Sequence, residues 1–153
     1  FTKLLPAVRE FNYPATLFVY TGGITESDPG GLTWGNLREL DRGGVRIECH
    51  SMSHPDLVRI DSRNTEDSRR ALFEEMYLSR RVLELYLGRP VKYFAFPFGS
   101  YSLSVIELCR FAGYERVFTT DQGPNIVTRN NYCLRRQHVL RTYPTGRIEG
   151  FIR

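Results

Sequence analysis

Along this chain, short apolar runs alternate with stretches whose apolar residues recur every three or four positions. Leu4, Leu5, Val8 and Phe11 recur at helical spacing and predict a short helix over Thr2 to Phe11. Asn12-Tyr13-Pro14 ends it, because the residue before a proline avoids the α region. Ala15 to Tyr20 reads as a strand, and Thr21-Gly22-Gly23 with Asp28-Pro29-Gly30-Gly31 as a long loop. Thr33 caps a helix carrying Leu37 and Leu40, closed by Gly43-Gly44, and Val45 to Cys49 is the next strand. The clearest helix is predicted from about Thr65 to Leu87, with Leu72, Met76, Leu83 and Leu87 on one stripe and Gly88 as a left-handed stop. Val91 to Phe96 is a strand, followed by the turn Pro97-Phe98-Gly99. Ser104 and Glu107 are expected to form a capping box on a helix bearing Val105, Ile106, Leu108 and Cys109, which Gly113 ends. Arg116 to Thr120 and His138 to Arg141 are the last two predicted strands.

This alternation of helix and strand implies an α/β fold with a mostly parallel sheet and right-handed crossovers. Four loops then follow strands: Thr21 to Gly31, His50 to Asp56, Pro97 to Tyr101, and Asp121 to Asn125. In such folds the loops at the carboxyl ends of the strands carry the chemistry.

The length of 153 residues suits one domain over 1–153, and an apolar fraction of 41% is ordinary for a globular core. No stretch approaches about 18 uninterrupted apolar residues, so no membrane span is expected in this segment. The chain opens on Phe1 without a basic-then-apolar leader, which is expected of a processed or trimmed piece. The net charge of +4 would permit an anionic partner, but the arginine pairs are scattered among Glu and apolar residues. They read as solvated helix faces, and no nucleic-acid partner is expected. Three widely spaced cysteines, Cys49, Cys109 and Cys133, argue against a disulfide framework.

His50-Ser51-Met52-Ser53-His54 holds two of the three histidines, directly after a predicted strand. Imidazoles four residues apart can reach one ion from a helical turn or a tight loop. The pair alone also fits one buried and one exposed histidine with no metal. Aromatic residues make up 13% of the chain, and Trp34, Phe98 and Tyr101 are candidates for apolar binding platforms. A core anchor at a helix start is the favoured reading of Trp34.

Several segments occur together in a fixed order: Pro14-Ala15-Thr16-Leu17-Phe18-Val19, Leu32-Thr33-Trp34, His50 to Leu57, and Phe94-Ala95-Phe96-Pro97-Phe98-Gly99-Ser100-Tyr101. Ala112-Gly113-Tyr114, Thr119-Thr120 and Leu134-Arg135-Arg136 continue the series. With these the chain resembles a polysaccharide deacetylase, the NodB-homology domain of carbohydrate esterase family 4. The resemblance implies a distorted (β/α) barrel, mostly parallel, that removes N-acetyl groups from amino-sugar polysaccharides with a divalent metal, zinc being the expected ion. It implies that His50 and His54 bind the metal, that Pro97, Phe98 and Gly99, with Tyr101 nearby, shape the sugar groove, and that the protein acts outside the cytoplasm. His138 is a candidate proton donor, displaced from the family's usual position; a structural strand histidine is the favoured reading.

The chain departs from the family in lacking the Asp-Asp-Gly run that ends the first strand, and with it one metal ligand and the general base. The first strand is therefore expected to lie upstream, leaving the domain N-terminally truncated and Ala15 to Tyr20 at an open edge. Asp28, Asp56 and Asp121 do not occupy matching positions, and each is expected to be a solvated or capping residue. Ala95 stands where many members carry an arginine. The alternative reading is a catalytically inactive carbohydrate-binding or structural relative.

Overall fold

The structure, a computed structural model, describes residues 4–26, 31–126, 131–137 and 139. Its elements are α1 (Leu4–Phe11), β1 (Ala15–Val19), α2 (Trp34–Arg42), β2 (Val45–Cys49), α3 (Leu57–Asp61), α4 (Glu66–Phe73), α5 (Ser79–Leu87), β3 (Tyr93–Ala95), α6 (Leu103–Phe111), β4 (Arg116–Phe118) and β5 (Cys133–Leu134). Every pairing is parallel and the sheet order follows the chain, β1-β2-β3-β4-β5. The alternation of periods in the sequence gives this α/β topology directly, because each helix carries the chain back for another parallel strand. Among the described residues β1 is an edge strand whose partner is β2.

The two faces of the sheet differ. Val45, Ile47, Cys49, Phe94 and Val117 are fully buried and form one core with Leu37 and Leu40 of α2, Leu83 of α5, and Val105 and Cys109 of α6. On the opposite, concave face lie Phe18, Arg46, Glu48, Tyr93 and Phe118. In a flat sheet, strands three positions apart are separated by roughly 14 Å. Yet the rings of Phe18 on β1 and Phe118 on β4 have centroids 5.2 Å apart, so the sheet curls like a barrel wall.

Local caps set most boundaries. Thr33 and Thr65 each form a capping box, with Asn36 and Ser68, and Gly88 ends α5 with φ 69°. A π-helical turn, Glu74–Leu78, joins α4 to α5, so the long predicted helix runs through but widens in the middle. The expected Ser104–Glu107 box does not form. Ser104 instead donates to Asp61 of α3, and Ser102 caps α6 by accepting from the Val105 amide at 3.2 Å. Strand β3 starts later than predicted: the Val91 amide donates to Glu84 at 3.1 Å and the Lys92 amide to the buried Glu48 carboxylate at 2.8 Å, which also accepts from the Tyr93 amide at 2.7 Å. Two elements escaped the sequence pattern: α3, which Asp56 caps through the Val58 and Arg59 amides, and β5. The predicted strand His138 to Arg141 lies outside the described residues apart from Val139.

Candidate functional site

The carboxyl ends of β1, β2 and β3 bring three loops together. Backbone bonds tie the first two: Thr21 N donates to Ser51 O (3.2 Å) and Gly22 N to Met52 O (2.7 Å). The third, Pro97–Gly99, is a short 3-10 turn. His50 leaves β2 with its amide still bonded to Val19 O at 2.8 Å, so its backbone is an extension of the sheet. Its Nδ1 lies 2.7 Å from the Ala95 carbonyl. A carbonyl only accepts, so Nδ1 carries the proton and the Nε2 lone pair is left free. Burial, the largest influence, lowers the pKa of His50 below its ordinary value; the Ala95 bond opposes this, and nearby His54 and Arg136 reinforce it. His50 is thereby favoured in the neutral form.

The ring of His54 stands 4.8 Å from that of His50, centroid to centroid. Two imidazoles bonded to one ion at usual zinc–nitrogen distances place their centroids about 5 Å apart. The pair therefore fits as two ligands of a divalent metal of the zinc type. Among the described residues no third His, Cys, Asp or Glu joins them to complete a group.

Holding this pair demands unusual backbone. Ser51 (φ 76°) and His54 (φ 60°) both occupy the left-handed region, as does Phe98 (φ 57°) in the adjoining loop. Each such residue costs on the order of 1–3 kcal/mol and persists only where its surroundings over-determine it. Two groups do so here. The Ser51 hydroxyl accepts from the His54 amide at 2.9 Å. From the π-helical turn, Glu75, 8% exposed, accepts from the Met52 and Ser53 amides on one oxygen, at 2.8 and 2.9 Å. Its other oxygen accepts from the Ser53 hydroxyl at 2.5 Å. Hydrogen bonds to a charged group contribute about 1.5–3 kcal/mol each, enough to offset the backbone cost. Glu75 was missed in the sequence, although it lies three residues after Leu72 and four before Ser79, on the buried stripe.

Aromatic rings surround the histidines. Phe98, 70% exposed, meets His54 at 4.7 Å, and Tyr20 meets it from another side at 5.6 Å. Pro97 is buried, and Gly99 (φ 71°) is required because a Cβ there would run into Thr120. Tyr101 stacks on Phe96 and donates its hydroxyl to Asp121 at 2.6 Å, a bond that raises its pKa. Asp121 is thus engaged by Tyr101, and Asp56 caps α3 and accepts from Ser100. Asp28 and His138 lie outside the described residues. Trp34 stacks on Tyr86 of α5 at 3.8 Å, as a helix anchor would.

A family model described as Polysaccharide deacetylase matches residues 1–117. The chain is 22% identical over 134 residues to YxkH of Bacillus subtilis, named as a candidate polysaccharide deacetylase, covering 88% of this chain and 45% of YxkH. Among solved structures it is similar to the Streptococcus pyogenes deacetylase PplD in complex with acetate, with TM-score 0.81, 22% identity, and 95% of this chain and 62% of that chain covered. It is also similar to BA3943, a CE4 family pseudoenzyme from Bacillus anthracis, with TM-score 0.61, 16% identity, and 76% and 37% covered. These two likenesses show a shared fold, and the chain spans less than half the length of the curated relative it matches. With the family's motifs in order, its parallel α/β sheet in place and more than half of the residues matched, the chain belongs to the polysaccharide deacetylase family.

Proposed function

We propose that this chain forms the histidine-bearing part of a metal-dependent hydrolase that removes N-acetyl groups from amino-sugar polysaccharides, acting outside the cytoplasm. The observation that supports this reading best is the pair of imidazoles 4.8 Å apart at the end of β2, with His50 fixed through Nδ1 by Ala95 O. His50 and His54 would hold the ion, zinc by preference for imidazole nitrogen. A divalent ion bound there supplies a Lewis acid for a poorly electrophilic amide carbonyl and for water. The chain's own residues orient and bind. The Ala95 carbonyl keeps His50 in the tautomer that leaves Nε2 available. Phe98 and Tyr101, on the loop that Pro97 and Gly99 shape, offer apolar faces to sugar rings. His138 remains the candidate proton donor to the departing amine.

A second reading, a catalytically inactive carbohydrate-binding relative, is favoured by one observation: two imidazoles without a third donor among the described residues. Acetate release from an N-acetylated oligosaccharide by the full-length protein decides between them. The hydrolase reading expects release that ends with chelation and with His50→Ala. Oligosaccharide binding without acetate favours the inactive relative, and full activity in His50→Ala removes the metal mechanism.

A further inference from the structure

The histidine loop contains its own conflict. Its left-handed residues, Ser51 and His54, flank Met52 and Ser53, whose amides find their acceptor in a side chain. That acceptor comes from 22–23 residues further along the chain, from the π-helical turn between α4 and α5. The turn is itself anchored beneath the loop. The Ser79 amide bonds to Glu74 O, five residues back, and the Glu75 carbonyl is taken instead by the Ser79 hydroxyl at 2.5 Å. The same hydroxyl lies 3.2 Å from the thiol of Cys49, the residue before His50. The last residue of β2 and the base of the Glu75 side chain therefore share one fixed point.

We propose that Glu75 is the positioning residue of the histidine pair: its carboxylate, gripping Met52 and Ser53, keeps His54 turned beside His50. Among the described residues no basic side chain forms an ion pair with Glu75, so its hydrogen bonds go to the loop and to nothing that would make it a surface charge pair. The side chain's reach matters here, because one oxygen must meet two amides while the other meets a hydroxyl. The inference rests on the reading of His50 and His54 as metal ligands.

Zinc titration of the metal-free full-length protein tests it, comparing wild type, E75A, E75D and E75Q at a temperature where each is folded by circular dichroism. E75A and E75D are expected to bind zinc about 10- to 100-fold more weakly, the usual effect of losing an orienting partner. E75Q should stay nearest the wild type, since its oxygen can accept from both amides and its NH2 can donate to the Ser53 hydroxyl. Hydrogen exchange of the metal-free proteins gives the second readout: the Met52 and Ser53 amides should be slow in the wild type and fast in E75A. Wild-type zinc affinity in E75A and E75D would overturn the inference and leave the histidine pair standing. A wild type that takes up no zinc would remove the ligand reading itself. Should E75A not fold, the remaining pair decides: E75D binding more tightly than E75Q would make charge, not reach, the operative property and overturn the proposal.

Discussion

At the seam between β2 and β3, one oxygen of Glu48 accepts from two consecutive amides, Lys92 and Tyr93; at the histidine loop, one oxygen of Glu75 does the same for Met52 and Ser53. Both carboxylates are buried. Their second oxygens differ. That of Glu48 has no hydrogen bond among the described residues and is flanked by Arg46 and Arg89 at 3.7 and 3.8 Å, whereas that of Glu75 is bonded to Ser53. Their surroundings differ as well. Glu48 stands where β2 and β3 share a single register pair, Cys49 with Phe94, and it replaces ladder bonds the diverging strands cannot make. Burial, outweighing its amide and arginine partners, raises its pKa. One device thus serves the sheet at one site and a strained loop at the other.

The sharpest break of this comparison is Glu48→Ala. Removing it leaves the Lys92 and Tyr93 amides without their acceptor and Arg46 without its carboxylate, while Arg89 keeps Asp41. A loss of about 3–5 kcal/mol in denaturant unfolding is expected, as for the breaking of a buried charged network. Zinc affinity of the folded fraction should be unchanged, because Glu48 touches neither histidine. An equal loss of zinc affinity in Glu48→Ala would mean that both carboxylates act through the fold.

A smaller effect is expected at the neighbouring loop, which is set by a glycine in place of a carboxylate. Gly99→Ala puts a Cβ into Thr120 and forces a left-handed residue with φ 71°. The cost should be about 1–3 kcal/mol, read as a lowered midpoint in thermal or chemical unfolding. Hydrogen exchange at Met52 and Ser53 should not change. If it does, the two loops move as one body and Glu75 alone does not secure the histidines.

The alternation of periods, the Thr33 cap, the helix start near Thr65, the Gly88 stop and the histidine pair after β2 were all legible in the sequence, because each depends on residues a few positions apart. What was not legible depended on distant partners. Ser104 and Glu107 have the spacing of a cap, but Asp61 captures Ser104 across the helix pair and leaves Ser102 to cap. Val91 to Phe96 has strand composition throughout, yet Glu84 and Glu48 take the amides at its start. Glu75 beside Glu74 looks like one more solvated acid on an amphipathic helix. The signal that distinguishes it is its place on the stripe of Leu72, Met76 and Ser79, where an unpaired carboxylate must find donors.

The mildest substitution gives the finest comparison. Ser53→Ala removes one hydroxyl and leaves Glu75 with two amides on one oxygen and a bare second oxygen, the arrangement Glu48 already has. The loss should be about 0.5–1.5 kcal/mol, the net contribution of a single hydrogen bond. If two amides suffice to hold the loop, zinc affinity in Ser53→Ala stays close to the wild type while E75A falls. If the hydroxyl is what fixes the carboxylate's orientation, Ser53→Ala weakens zinc binding nearly as much as E75A. Glu48 then differs in a physical respect: its second oxygen is oriented by two arginine charges, which the loop does not have, so Ser53 supplies by a hydrogen bond what the seam obtains by charge.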